Sequence, residues 1–336
     1  LKAKLLCEPK SDLNDLIKKF SDLYYKEASN YIQEYIKDIT NEISYQEDFF
    51  LFLYGDPSQA FDSFLRPEKV TFYNELFDKA LESVKYNREL TNRVLKARIS
   101  IDYASLELHR KNNSSEYKLI ETNNNIKSPD NDLLNRLERF EKTAKENNIT
   151  LMNEMGYTVS EYVYYFDKAL DLAVKNNIAK HKPVKLLTQP TNYANEDPKV
   201  LTDGALGGSS FYSNWLGFVD NNMDAIVDLG EKRFISSITT SFLQVTNHVV
   251  FFPPNVEFLI SNDKKKWKSM GKIDNQLKLN KKSKVNDIQV FETNISTNAR
   301  YVRVLAKNYG DAPYWHHAAG QPSWIFSDEI ITKACA

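Results

Sequence analysis

The chain has 336 residues, of which 42% are hydrophobic and 12% aromatic, and this is enough to build two buried cores. Its 44 basic side chains nearly balance its 45 acidic ones, so there is no overall field to hold a nucleic-acid backbone or an anionic membrane surface. We therefore expect no nucleic-acid partner, and we do not favour a membrane partner.

The two ends of the sequence carry no recognisable signal. Cys7 and Cys335 give neither a metal-ligand spacing nor a disulfide framework, and no stretch has the pattern of a signal peptide. The chain begins at Leu1 rather than at a methionine. We expect it to be a fragment of a longer protein.

The first 180 residues have the period of helices. They contain only two glycines, Gly55 and Gly156, and no tryptophan. Apolar residues recur at helical spacing in six segments, which begin near Leu13, Tyr31, Val70, Val94, Leu133 and Val163. The segment 112–130, rich in Asn and Ser, is predicted to be a loop. Residues 1–180 are therefore predicted to form an all-α domain.

From Pro183 onward the period changes to two, which is typical of strands. Apolar residues alternate with outward positions at Val256, Phe258 and Ile260 and at Val302, Val304 and Ala306. Turn signals such as Asp203-Gly204 and Leu229-Gly230 occur at the spacing of an antiparallel sandwich. The predicted fold class is thus an all-α helical region followed by an antiparallel β-sandwich over residues 183–336.

Several motifs of the β segment occur in the order found in the discoidin family. They are Leu201–Gly204, Trp215, Ile226–Gly230, Val256–Ser261 with Trp267, Ala299–Val304 and Asp328–Ile330. The segment resembles this family (coagulation factor V/VIII C-type), whose fold is a galactose-binding-like jelly roll. The stretch Tyr314–Gly320, followed by Trp324–Ile330, is similar more narrowly to the module appended to bacterial β-hexosaminidases.

The helical segment carries a second resemblance. Leu1–Pro9, followed by Asp15–Ile17 and Tyr24-Tyr25, is similar to the C-terminal part of an uncharacterised bacterial family assigned as glycoside hydrolases. In that family a helical region follows a catalytic barrel. The resemblance implies a parent glycoside hydrolase whose upstream barrel would be a partner of this chain, and an extracytoplasmic location in the periplasm or at the cell surface.

A shallow sugar site needs an aromatic face for the apolar side of a sugar and planar polar groups for its hydroxyls. Trp315 and His316 supply both types side by side, between the turn residues Pro313 and Gly320. Further contacts are predicted from Asn247, His248 and Phe251. We expect Trp215, Trp267 and Trp324 to be mainly core residues, as such positions are in the discoidin family.

The sequence shows no hydrolytic site. Asp328 and Glu329 are adjacent on a predicted strand, so we expect them to point to opposite faces, which excludes a glycosidase pair. The discoidin resemblance instead implies that Asp203 and Glu329 are ligands of a structural Ca²⁺. Ala205 stands where the family commonly has a second aspartate.

Two other functions stay open. In the first, the sandwich is a protein- or membrane-adhesion module, with Val249, Val250, Phe251 and Phe252 as an apolar loop tip. In the second, the fragment is itself a hydrolase with a site between its two domains. The preferred hypothesis is a non-catalytic fragment with a helical scaffold and a carbohydrate-binding sandwich.

Overall fold

The computed structural model describes residues 7–8, 10–47, 49–50, 55–111, 116–123, 126–153, 156–174, 177–191, 196–208, 211 and 214–334. No helix among these residues is long and apolar enough to cross a membrane. The chain forms two compact units. We call residues 1–53, 57–109 and 131–150 the helical unit, and residues 54–56, 110–130 and 151–336 the sandwich unit.

The helical unit is built from amphipathic helices. They are α1 (Leu13–Tyr25), α2 (Ser29–Ser44), α3 (Pro67–Val84), α4 (Arg88–Lys111, of which the last two residues belong to the sandwich unit) and α5 (Asn131–Glu146). Two 3₁₀ turns, Lys26–Ala28 and Pro57–Ala60, connect them. Pro67 stands in the first turn of α3, where its missing N–H costs nothing. The predicted periodicity is confirmed, since Val70, Val94 and Leu133 are fully buried.

A buried ionic network ties three helices of this unit together. Asp102 of α4 is 2% exposed, and its carboxylate lies 3.3 Å from Arg98 Nε, 3.3 Å from Arg136 Nη1 and 2.6 Å from Arg139 Nη2. Asn74 of α3 accepts from Arg98 Nη2 at 3.0 Å. Charged side chains therefore occupy part of the packed interior of this unit.

The sandwich unit begins before the predicted boundary at residues 180–183. It contains the hairpin of β1 (Ile120–Asn123) and β2 (Ile126–Pro129), which lies in the segment predicted to be a loop, and helix α6 (Val159–Val174). The change from helix to strand does occur near residue 180. The boundary between the compact units lies elsewhere, because α6 and the β1–β2 hairpin belong to the same compact unit as the strands that follow them.

The strands of the sandwich pair antiparallel throughout the described residues. They are β3 (Val184–Leu186), β4 (Leu216–Val219), β5 (Met223–Val245), β6 (Asn255–Ser261), β7 (Lys268–Asp274), β8 (Asn286–Ala306) and β9 (Trp324–Lys333). The hydrogen-bonded order is β4-β9-β5-β8-β6-β7, and β3 also pairs with β5. The pairing of the long strands β5 and β8 changes register between Asp228 and Arg233 and again between Ile235 and Ser237. Such irregularities bend a strand pair, so this pair can contribute to both layers of the sandwich. The predicted β-sandwich is confirmed.

The core of the sandwich includes the alternating residues that the sequence predicted. Val256 and Phe258 are fully buried and Ile260 is 6% exposed, while Val302, Val304 and Ala306 are fully buried. Trp215 is fully buried as expected, and its Nε1–H donates to Gly208 O at 2.8 Å. Trp267 and Trp324 are only half-buried, which corrects their predicted place in the core.

Candidate functional site

Three loops leave the sandwich at one end. Thr246 N donates to Val285 O at 2.8 Å, Asn275 N donates to Pro254 O at 2.8 Å, and His316 Nε2 lies 2.7 Å from Thr246 O. Segments 246–254, 275–285 and 307–323 therefore lie together. We call these three segments the loop end.

His316 holds two of these segments together. The Ala318 N–H donates to its Nδ1 at 3.1 Å, so Nε2 carries the proton and donates to Thr246 O at 2.7 Å. The side chain is 8% exposed. Because both ring nitrogens are engaged inside the protein, the predicted role of His316 in meeting a sugar hydroxyl is corrected to that of a loop anchor.

Phe251 is also an interior residue. It is 1% exposed, and its ring packs edge-on against Tyr309 at 5.3 Å and against His316 at 5.6 Å between centroids. It therefore cannot be the second aromatic platform that the sequence predicted. It supports Tyr309 from behind and joins that residue to the His316 anchor.

The remaining predicted contact residues reach the surface. Asn247 is exposed, whereas His248 and Trp315 are half-buried. Burial lowers the pKa of His248, and the neighbouring His317 lowers it further, so segments 246–254 and 307–323 face each other here. Tyr314, which the sequence treated only as part of a motif, is 91% exposed. Tyr314 thus presents its aromatic side chain to solvent, and Trp315 next to it in sequence presents part of its own.

A groove of about 290 Å³ is lined by residues from all three segments of the loop end. Its apolar walls are Phe252, Pro254, Leu277, Leu279 and Tyr309, and its polar groups come from Gln244, Asn275 and Lys278. Gln244 donates through Nε2 to Lys284 O at 2.9 Å, which fixes its amide plane. The sequence indicated Tyr309 only as a turn residue and gave no sign of Asn275. Neither could be predicted as a groove residue, because the groove forms from three segments that are far apart in the chain.

Helix α6 supports segment 275–285 of the loop end and the start of β8. The Tyr165 hydroxyl donates to the Asp287 carboxylate, and Lys284 Nζ lies 3.0 Å from Glu161 Oε1. Lys284 is the same residue whose carbonyl holds Gln244. The groove therefore depends on a helix that precedes the sandwich in sequence.

A second polar site lies at a bulge between β9 and β5. Thr240 pairs with Ile330 and Phe242 with Ser327, so Asp328 and Glu329 together oppose the single residue Ser241. Both acids approach the same loop: Gly207 N donates to Asp328 at 3.0 Å, and Gly204 N donates to Glu329 at 3.1 Å. This corrects the expectation that the two side chains point to opposite faces.

Asp203 completes what we call the acid cluster, which consists of Asp203, Asp328 and Glu329. Burial raises the pKa of Asp203 to about 6 and that of Asp328 to about 6. Burial and then the charge of Asp203 raise the pKa of Glu329 well above its ordinary range. Three carboxyl groups gathered away from water therefore oppose one another's ionisation.

The described residues around this cluster do not fit a calcium ion. Calcium takes six to eight oxygen ligands, usually carboxylates and backbone carbonyls. Both oxygens of Glu329 accept from N–H donors, Gly204 N and Asn177 Nδ2, and Asp203 Oδ1 accepts from Ala205 N at 2.7 Å.

The carbonyls of the adjoining loop are engaged in the same way. Ala205 O accepts from Asn214 Nδ2 at 2.6 Å and Gly207 O from Arg110 Nη1 at 3.0 Å. Gly208 O accepts from the indole of Trp215. These carbonyls point towards protein donors, one of them a buried guanidinium, rather than towards a common centre.

Comparison with known proteins identifies the sandwich. Residues 187–325 match the F5/8 type C domain, so this part of the chain is a discoidin-like domain, as its motifs predicted. A search of curated protein sequences found no match.

Several solved structures are similar to the sandwich. CpGH89CBM32-6 of Clostridium perfringens is 17% identical over 48% of this chain and 100% of that chain, with a TM-score of 0.30. A fucose binding module of Streptococcus pneumoniae is 12% identical over 48% and 99%, with a TM-score of 0.32. The C-terminal domain of a chitobiase from Bacteroides fragilis is 16% identical over 48% and 98%, with a TM-score of 0.31.

Proposed function

We propose that the loop end of the sandwich binds a glycan. The observation that carries this proposal is the aromatic surface of Tyr314 and Trp315 on segment 307–323, whose Tyr309 also lines a groove with the amides of Gln244 and Asn275 and the ammonium of Lys278. Aromatic faces pack against the C–H face of a sugar ring, and amides match its hydroxyls with both donors and acceptors. Asn247 and His248, on segment 246–254, which His316 joins to segment 307–323, are proposed as further contacts.

The alternative of membrane adhesion has less support. A membrane-docking loop needs bulky apolar side chains at its tip. Val250, Phe251 and Phe252 are 2%, 1% and 3% exposed, so the run that suggested such a tip is turned inward. Apart from Leu277, which is 55% exposed, the large exposed side chains in the described part of the loop end are aromatic or polar, and this favours a sugar.

A binding experiment with surface variants tests the proposal. After a glycan array has identified a ligand, Trp315→Ala and Tyr314→Ala are titrated with it. Loss of a stacking contact of ~1–3 kcal/mol corresponds to a loss of about ten- to hundredfold in affinity. We expect such a loss for Trp315→Ala with an unchanged thermal midpoint.

Tyr86→Ala is the matched control, because Tyr86 is 94% exposed and belongs to the helical unit. It should change neither affinity nor midpoint. An array without ligands, or a Trp315→Ala variant that keeps its affinity and unfolds early, would overturn the assignment of this surface.

The proposal extends to the parent protein. The helical unit is proposed to be a non-catalytic scaffold for the upstream catalytic barrel of a glycoside hydrolase that works outside the cytoplasm. Leu13, Phe20 and Leu23 of α1 are 51%, 44% and 70% exposed, which supports a packing role for this helix. The proposal also predicts exposed apolar side chains at Leu1, Leu5 and Leu6, which lie outside the described residues. Hydrolysis of aryl glycosides by this chain alone, abolished by one carboxylate substitution, would contradict the proposal.

A further inference from the structure

Lys180 lies beside the acid cluster, in the segment that leads into β3. Its side chain covers Gly204 so closely that a Cβ added there would lie 2.4 Å from Lys180 Cε and 2.8 Å from Nζ. Gly204 has a φ of +86°, which also favours glycine. The path of the lysine thus depends on the absence of a side chain at this position.

The lysine and the acids share a small space. Lys180, Gly204, Asn177 and Glu329 are among the residues that line a cavity of about 30 Å³, which is large enough to hold water. Burial raises the pKa of both Asp203 and Glu329, whereas the positive charge of Lys180 lowers the pKa of both carboxyls. The ammonium group is therefore close enough to compensate part of their charge.

The polar groups around the cluster are N–H donors to the carboxylates and not oxygen ligands for a metal ion. Glu329 accepts from Asn177 Nδ2 at 3.0 Å and from Gly204 N at 3.1 Å, while Gly207 O is taken by Arg110. Arg110 is 1% exposed, and its guanidinium stacks over Tyr162 and Phe166 at 5.3 and 4.9 Å. It therefore places a fixed positive charge on the loop whose carbonyls would have to face the ion.

We propose that Lys180 takes the place of a structural calcium ion in this sandwich, so that the acid cluster is compensated from within the chain. Arg110 acts as its partner on the loop by holding the carbonyl of Gly207. Position 205 is an alanine, where the resemblance implies a second aspartate. One fewer carboxylate is consistent with compensation by a single lysine, which carries half the charge of a divalent ion. The sandwich unit is then stable without a metal.

Calcium titration of the whole chain is the first test. The four tryptophans all belong to the sandwich unit, so their fluorescence follows the unfolding of this unit. We expect the thermal midpoint to be the same in EDTA and in millimolar CaCl₂. A rise of several degrees with calcium would overturn the proposal, since a ligand that binds only the folded state must stabilise it.

Substitution of the lysine is the second test. Lys180→Met keeps most of the unbranched side chain but removes its charged end, and we expect the midpoint to fall by on the order of 5 °C. Asp203→Asn in the same chain should restore part of this loss, because one carboxylate fewer then needs compensation. Lys185→Met on β3, where the lysine is exposed, is the matched control.

An unchanged midpoint in Lys180→Met would overturn the proposal. If this variant fails to fold, the calcium titration of the unmodified chain still decides, because a metal-dependent sandwich would respond to EDTA.

Discussion

The two units place their acidic side chains in opposite electrostatic surroundings. In the helical unit Asp102 is held by three arginines, and hydrogen bonds from Arg66 and then Lys69 lower the pKa of Glu42 to about 2. In the sandwich unit the acid cluster receives mainly amide donors, and burial raises the pKa of Asp203 and Asp328 to about 6.

The difference lies in burial and in the charge of the neighbours. Burial raises the pKa of all three acids of the cluster, a neighbouring carboxylate raises that of Asp203 and Glu329 further, and hydrogen bonds or a nearby positive charge act in the opposite direction. In the helical unit three arginines surround the carboxylate of Asp102, whereas in the sandwich unit Lys180 is close to the three acids of the cluster.

The largest effect is expected where an acid is surrounded by arginines. Asp102→Ala leaves Arg98, Arg136 and Arg139 without their common partner, and breaking such a buried network costs ~3–5 kcal/mol. Chemical denaturation followed by circular dichroism at the helical band measures the loss. Glu75→Ala on the exposed face of α3 is the control and should change stability by less than about 0.5 kcal/mol. Equal stabilities of the two variants would remove the contrast between the units.

The pH dependence of the two units should differ in sign. An acid whose folded pKa is about 6 binds protons in the folded state before the unfolded state does, so the sandwich unit gains stability as the pH falls from about 6 to about 4. Two pKa units correspond to ~3 kcal/mol, which is an upper bound for each carboxyl of a coupled cluster.

Glu42 behaves oppositely, because its pKa is about 2 in the folded state and ordinarily near 4.5. The stability it contributes is present above pH 4.5 and is lost as the pH falls towards 2. Tryptophan fluorescence follows the sandwich unit, and circular dichroism follows mainly the helices. A fluorescence midpoint that stays level or falls between pH 7.5 and pH 5 would show that the acid cluster is already compensated in full.

A smaller effect is expected from the glycine that admits the lysine. Gly204→Ala should destabilise the sandwich unit by roughly 1–3 kcal/mol, because a Cβ meets Lys180 and the φ of +86° is strained for alanine. Gly310→Ala has a similar φ of +96° but no heavy atom within 4 Å, so it measures the backbone cost alone. Comparison of the two midpoints isolates the contribution of the lysine contact. Identical midpoints would mean that Lys180 moves aside without cost.

The sequence predicted well where a local pattern decides the structure. The alternation at Val256, Phe258 and Ile260 predicts one buried face, and the structure buries it. The turn residues Pro313 and Gly320 correctly predicted a loop that carries Trp315. These features depend on neighbours within a few residues, for which the chain itself is the best guide.

The sequence failed where a distant partner decides the role of a side chain. His316 bonds to Thr246, 70 residues away, and this contact changes a predicted ligand contact into an anchor. The bulge at Asp328 and Glu329 exists only in relation to Ser241 of β5, so two neighbours expected on opposite faces serve one loop. Helix α6 likewise has an ordinary helical pattern, and nothing in it signals that Tyr165 reaches Asp287.

The position of β9 has a consequence for the synthesis of this protein. β9 pairs with both β4 and β5, and its Glu329 bonds to Asn177, 152 residues earlier. A ribosome must therefore translate almost the whole sandwich before β9 can pair with β4 and β5. Until then β4 and the 23-residue β5 each have an edge that lacks its final partner. The helices, whose contacts are local, can form during that interval. The nascent sandwich is then the part of the chain most exposed to aggregation and most in need of chaperones.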